Sequence, residues 1–244
     1  MAQAANSARF VRSLRAILEY YADRTKRSAT VSEALTLSNV LRVPGPVLSA
    51  ICNAIHAHGE IAPLESLPAA ESLWEMGFRE TRHIAVCLVR GLEPAELSVI
   101  FEGWAAGCDD REVLSWMAEE GMADWWSASG FDFWRVLRTW LAGDDYRVRH
   151  LALLGVLHGP GSGSSDALLP KVFRLLKGAV VNLRSDGYAT MIELMRFLAR
   201  RSPQETVRYL LDEIKRGTPG GRRLARDCSV EFTPDLREEL EKAL

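Results

Sequence analysis

Phe131–Ala142 reads FDFWRVLRTWLA, and its spacing decides the fold class. Phe133, Trp134, Leu137, Trp140 and Leu141 follow the i, i+3, i+4, i+7 rule of a helix with one buried face, and Arg135 and Arg138 fall on the opposite side. Lys171–Lys177 repeats the pattern, with Val172, Phe173, Leu175 and Leu176 set against Lys171, Arg174 and Lys177. No convincing pair of alternating strands occurs, and the apolar cluster Ala179–Val181 is too short to make one. An all-α chain is expected.

Outward from that segment, helix breakers recur at short intervals: Pro44-Gly45-Pro46, Pro63, Pro68, Gly91 with Pro94, Gly107 with Asp109, Gly130, Gly143 and Pro203. Helices of about 10–16 residues between such turns suit antiparallel pairs stacked side by side in one continuous domain, residues 1–244. Their period is irregular, as HEAT-type units allow. Gly159–Asp166, GPGSGSSD, reads as a loop opening onto the next helix. It follows a helical segment and lacks Gly-Lys-Ser/Thr, so it is no phosphate-cradling nucleotide loop. Gly217–Gly221, GTPGG, is a second break, followed by Arg222, Arg223 and Arg226.

At 244 residues the chain can bury a sizeable core or an extended stack of smaller ones. Its 48% hydrophobic and 25% charged residues are those of a folded protein. No apolar run reaches the length of a membrane span and the first residues carry no secretory pattern, so a cytoplasmic monomer is expected. The net charge of −2 hides an asymmetry. Residues 1–130 carry 11 basic and 17 acidic side chains, residues 131–226 carry 17 and 9, and the last 18 carry 2 and 6. Phosphate neutralisation depends on the local face, so the basic middle points to an anionic partner despite a pI near 6.2.

Several stretches carry a family resemblance. Asn39–Leu48, NVLRVPGPVL, is an apolar turn leading into a helix, and Ser72–Val89, SLWEMGFRETRHIAVCLV, has a Leu-Trp pair, then an acid, an Arg and an apolar helix. There, Trp74 would fill a seam between helix pairs, and Glu80 and Arg82 would cap or bridge the following helix. Trp104–Leu114, WAAGCDDREVL, Thr139–Leu153, TWLAGDDYRVRHLAL, and Leu194–Val207, LMRFLARRSPQETV, follow in order. Over about residues 35–215 the chain resembles the AlkD-type DNA alkylation repair family, HEAT-like proteins related to alkylpurine DNA glycosylases. The resemblance implies a superhelical solenoid whose concave basic face holds double-stranded DNA. Active members excise cationic N3- or N7-alkylated purines, with a carboxylate stabilising the developing sugar cation, aromatic rings against the lesion and an Arg on the phosphate.

Carried over by position, the family's carboxylate falls on Glu112, with Asp109 and Asp110 nearby, and its aromatics fall on Cys108 and Glu193. The phosphate-gripping Arg falls on His150, directly after Arg149. An alternative register uses Trp116 and Glu120, four apart on one helix face. DNA contacts are expected from Arg135, Arg138, Arg147, Arg149, His150, Lys171, Arg174, Arg184, Arg196 and Arg200. Duplex binding should be weak and salt-dependent, and base excision slow or absent. A helical protein-interaction scaffold is the competing reading.

Other residues have plainer roles. Trp74, Trp134 and Trp140 are expected to be buried between helices, and the adjacent Trp125 and Trp126 cannot both face one core. Glu112 also suits the first turn of a helix, where an acid faces the helix dipole. Cys52 with His56, and His83 with Cys87, each sit at i, i+4, and they could assemble four zinc ligands only if their helices faced each other. With no Cys-x-x-Cys knuckle alongside, all four cysteines read as reduced core thiols, Cys108 has no base to make it a nucleophile, and no metal or cofactor is expected.

Overall fold

The structure, a computed structural model, describes residues 2–22, 40–57, 63–123, 125, 128, 130–159, 166–181, 183–217 and 219–244, without the side chains of 2–6, 63–65 and 219. Among the described residues there are thirteen α-helices and no strand. None is long and apolar enough to cross a membrane. Trp126 and most of the Gly159–Asp166 loop lie outside the described residues. The helices group into two compact units, Met1–Trp104 and Ala105–Leu244.

The first unit holds α1 (Ala2–Tyr21), α2 (Gly45–Ala57), α3 (Pro63–Glu75), α4 (Arg79–Val89) and most of α5 (Pro94–Ala106). Gly77, at φ +76°, closes the tight turn that folds α3 back on α4, a conformation open to glycine at little cost. Leu14, Leu18, Leu73, Ile84 and Val86 are buried. Trp74 of α3 is 8% exposed and stacks on Trp104 with ring centroids 4.3 Å apart, and the Arg82 guanidinium lies 4.9 Å from the Trp74 ring. α2 packs on α4.

Glu80 takes a role other than the one expected for it. Its carboxylate is buried and reaches back to accept the N–H groups of Leu41 at 2.9 Å, Arg42 at 2.6 Å and Val43 at 3.3 Å. These donors precede α2. The clamp holds Arg42 at φ +59°, a left-handed conformation that costs a non-glycine residue about 1 kcal/mol or more.

The second unit is organised on one helix buried nearly all round. It comprises α6 (Arg111–Trp116), which runs into a π-helical turn (Met117–Gly121), then α7 (Phe133–Ala142), α8 (Tyr146–His158) and α9 (Leu169–Leu176). α10 (Ser185–Arg201), α11 (Pro203–Lys215), α12 (Pro219–Cys228) and α13 (Pro234–Glu241) complete it. α8 is buried without a break from Val148 to Leu157, with α7, α10 and the π turn packed against it. Gly155 makes that approach possible: a Cβ there would stand 2.6 Å from Met122 Cε. Beyond α8, α10 packs on α11 and α11 on α12, so these contacts join helices close in sequence.

Two of the three tryptophans are placed as expected. Trp140 is 2% exposed and lies 6.2 Å from the buried Trp125, which also packs edge-on against Phe131 at 5.4 Å. Trp134 is only half-buried: it packs edge-on against Phe133, with the Lys171 ammonium 6.0 Å from its ring. On α7 it lies beside the apolar stripe that Phe133, Leu137, Trp140 and Leu141 fill.

Candidate functional site

Asp145 starts the site. It caps α8 by accepting the Arg147 N–H at 2.8 Å, and it takes the Arg147 side chain at 3.1 Å (Nε) and 2.9 Å (Nη2). The Arg147 hydrogen bonds, partly offset by desolvation, hold the Asp145 carboxyl below its ordinary pKa. Between these two residues in the chain is Tyr146, whose hydroxyl donates to Asp109 Oδ1. That bond first, and desolvation second, raises the pKa of the phenol, so Tyr146 keeps its proton. The Arg184 guanidinium lies 3.8 Å from the Tyr146 ring centroid and that of Arg147 lies 5.2 Å from it, both within cation–π range. Arg147 also comes within 3.8 Å of Asp109.

Asp109, Tyr146, Arg147 and Arg184 line a cleft of about 280 Å³ together with Cys108, Leu114, His150, Ser185, Asp186 and Gly187. Arg184 is the N-cap of α10, and no side chain caps that helix. The first-turn N–H groups of a helix lack intrahelical acceptors and carry the positive end of its dipole, and here the same turn also brings the Asp186 carboxylate into the cleft. Arg184 is exposed and has no ion-pair partner among the described residues.

The residues expected on the site divide sharply. Asp109, Arg147, Arg184 and His150 come together at the cleft. Asp110 is engaged elsewhere: it caps α6, accepting from Glu112 N at 3.0 Å and Val113 N at 3.4 Å. Glu112 is exposed on α6 and does not line the cleft, and Trp116 and Glu120 are half-buried farther along the same helix and its π turn. Cys108 is fully buried, with Sγ 3.8 Å from the Asp110 carbonyl. Glu193 is exposed on α10, 3.8 Å from Arg111.

Arg149 and His150, both expected at a phosphate, are buried. Arg149 is 8% exposed and turns inward, where its Nη2 donates to the carbonyls of Val181 and, at 3.4 Å, Ala179. His150 is 4% exposed and pairs through Nε2 with Thr190 Oγ1 at 2.9 Å. Desolvation is the main cause that lowers its pKa from 6.5 to about 4, so it is neutral at physiological pH and has no charge to offer a phosphate. The reason is the burial of α8: every residue from Val148 to Leu157 is buried, and both lie within that run.

The remaining cations are on the surface. Arg135, Arg138, Lys171, Arg174 and Arg200 are exposed, whereas Arg196 pairs with Glu231 at 3.1 Å. Arg174 lines a second, smaller hollow of about 190 Å³ beside Arg208, Arg216, Glu205, Asp212 and the buried Glu213, a mixed-sign setting. Tyr146 and Asp145 were not singled out in the sequence. An aromatic directly before Arg147, at the first position of a helix opened by two aspartates, was the available signal. In the first unit, Cys52, His83 and Cys87 place their potential metal-ligating atoms within 4.8 Å of one another.

Compared with known protein families, with curated proteins and with solved structures, the chain has no match.

Proposed function

We propose that residues 105–244 grip the phosphate backbone of duplex DNA in the manner of the DNA alkylation repair family, anchored at the Tyr146–Arg184 cleft. The observation that carries this reading is the Arg184 guanidinium stacked on Tyr146 beside the uncapped N-terminus of α10. A phosphate seated there takes backbone N–H donors, a helix dipole and the Arg184 guanidinium, against the repulsion of Asp109 and Asp186 in the same cleft. The exposed Arg135, Arg138, Lys171, Arg174 and Arg200 add a sequence-independent electrostatic contribution. On this reading the helix pairs are HEAT-type units and the chain acts as a monomer in the cytoplasm.

Within the same reading, the carboxylate for a departing alkylated purine is Asp109 rather than Glu112, because Asp109 lines the cleft. In that role its carboxylate would stabilise the positive charge developing on the sugar. The aromatic walls for a cationic base are lacking at Cys108 and Glu193, so excision is slow. The internal pairing of Arg147, Arg196 and Arg208 with acids favours a second reading, a protein-interaction surface of mixed charge.

Fluorescence anisotropy with a labelled duplex, titrated with salt, tests the proposal. Affinity should fall steeply as salt rises, independently of sequence. Arg184→Glu should weaken binding more than about tenfold and lower the salt slope by about 1. Unchanged affinity in that variant, or no duplex binding at low salt, would overturn the DNA reading and leave the protein-interaction surface standing.

A further inference from the structure

We propose that Cys52, His83 and Cys87 form a zinc site in the first unit, with a water molecule as fourth ligand. His83 and Cys87 lie four residues apart on α4, so both leave the same face of that helix. α2 packs against α4 and contributes Cys52. All three residues are buried, and their Sγ and ring-nitrogen atoms lie within 4.8 Å of one another. Tetrahedral zinc, with sulfur at about 2.3 Å and nitrogen at about 2.1 Å, sets ligand atoms about 3.5–3.8 Å apart. A contraction of about 1 Å, within reach of small side-chain rotations, brings the three onto one ion.

The donor chemistry selects the metal. Two thiolates and an imidazole suit a thiophilic ion and exclude magnesium and calcium, which take oxygen ligands. Zinc(II) neutralises the two thiolates, so the buried cluster carries no net charge, whereas copper(I) would leave a buried negative charge. Two thiolates and one histidine with an open fourth position is also an established zinc donor set. His56, the other half of the i, i+4 pair on α2, is exposed and outside the cluster. The site would tie α2 to α4 at a second point, beside the clamp that Glu80 places on the segment leading into α2.

The test uses the full chain purified without chelator. Elemental analysis should find one zinc per chain. Replacement by cobalt(II) should give thiolate-to-metal charge-transfer bands and the intense visible bands of tetrahedral coordination. Cys52→Ser and Cys87→Ser should each weaken binding by more than about a hundredfold, whereas His56→Ala and Cys228→Ser should bind like the parent. If the serine variants do not fold, thiol alkylation of the parent chain decides: zinc should protect Cys52 and Cys87 and leave the labelling of Cys108 and Cys228 unchanged. A chain that takes up no zinc, a cobalt spectrum without thiolate bands, or protection that does not localise to Cys52 and Cys87 would overturn the site.

Discussion

Lowering the pH should weaken the second unit through His150 before most carboxylates titrate. In the folded chain desolvation depresses this imidazole from 6.5 to about 4, while in the unfolded chain it titrates near its ordinary value. Above pH 6.5 both states hold it neutral and the full stability is present. As pH falls below 6.5 the unfolded state takes a proton that the folded state refuses, and stability drops by about 1.4 kcal/mol per pH unit until about pH 4. The total loss is about 3 kcal/mol, of which about 1 kcal/mol falls between pH 7 and 5.5. Against a typical domain stability of about 5–15 kcal/mol this is a measurable fraction. Urea denaturation followed by circular dichroism at pH 7 and 5.5 reads it, compared with His150→Gln, which removes the titrating group and can still bond to Thr190. The parent should lose about 1 kcal/mol more than the variant over that interval. Equal losses, or an imidazole NMR titration of His150 near pH 6.5 in the folded chain, would refute the assignment of a desolvated neutral histidine.

Three further outcomes are expected. Glu80→Ala removes the acceptor of three N–H groups and releases the strained Arg42 turn, so it should destabilise the first unit by about 2–4 kcal/mol in denaturant titration. Gly220→Ala drives a Cβ to 2.6 Å from Val180 Cγ1 and 3.1 Å from its carbonyl oxygen, and should cost about 1–3 kcal/mol by the same assay, whereas Gly103→Ala, with open space at its Cβ, should not destabilise the chain. Release of free base from N7-methylated DNA should be slow, and any that occurs should disappear in Asp109→Asn while surviving in Glu112→Gln; the opposite dependence would return the carboxylate role to Glu112.

The all-helical class was legible because it rests on periodicity. The stripe of Phe133, Leu137, Trp140 and Leu141 is a local property, and it is the face that α7 buries. The fate of individual charges was not legible, because it depends on what surrounds each helix. Arg147 and Arg149 look alike in the sequence, two residues apart in one basic segment. In the fold, the first sits half-buried at the start of α8, and the second is sealed under the Ala179–Val181 turn. Asp109, Asp110 and Glu112 were likewise equivalent as nearby acids until the start of α6 assigned Asp110 to its cap and turned Glu112 to solvent. The thiol–imidazole cluster was half legible: i, i+4 spacing gave His83 with Cys87, but only the packing of α2 on α4 could select Cys52 and leave out His56.

The same distinction bears on the charge asymmetry that first pointed to an anionic partner. The excess of basic residues in 131–226 counts every cation equally, but the structure does not. Arg149 is internal, and Arg147, Arg196, Arg201, Arg208 and Arg216 each face a carboxylate within 4.0 Å. A phosphate approaching one of these must compete with an acid already in place, so each contributes less counterion release than an unpaired arginine. Arg184 is in the opposite position. It is exposed, it has no carboxylate partner among the described residues, and the Tyr146 ring holds its guanidinium at the α10 N-terminus. On the proposed DNA reading, the salt slope of binding should therefore follow the unpaired cations, with the largest single step on charge reversal at Arg184 rather than at Arg149.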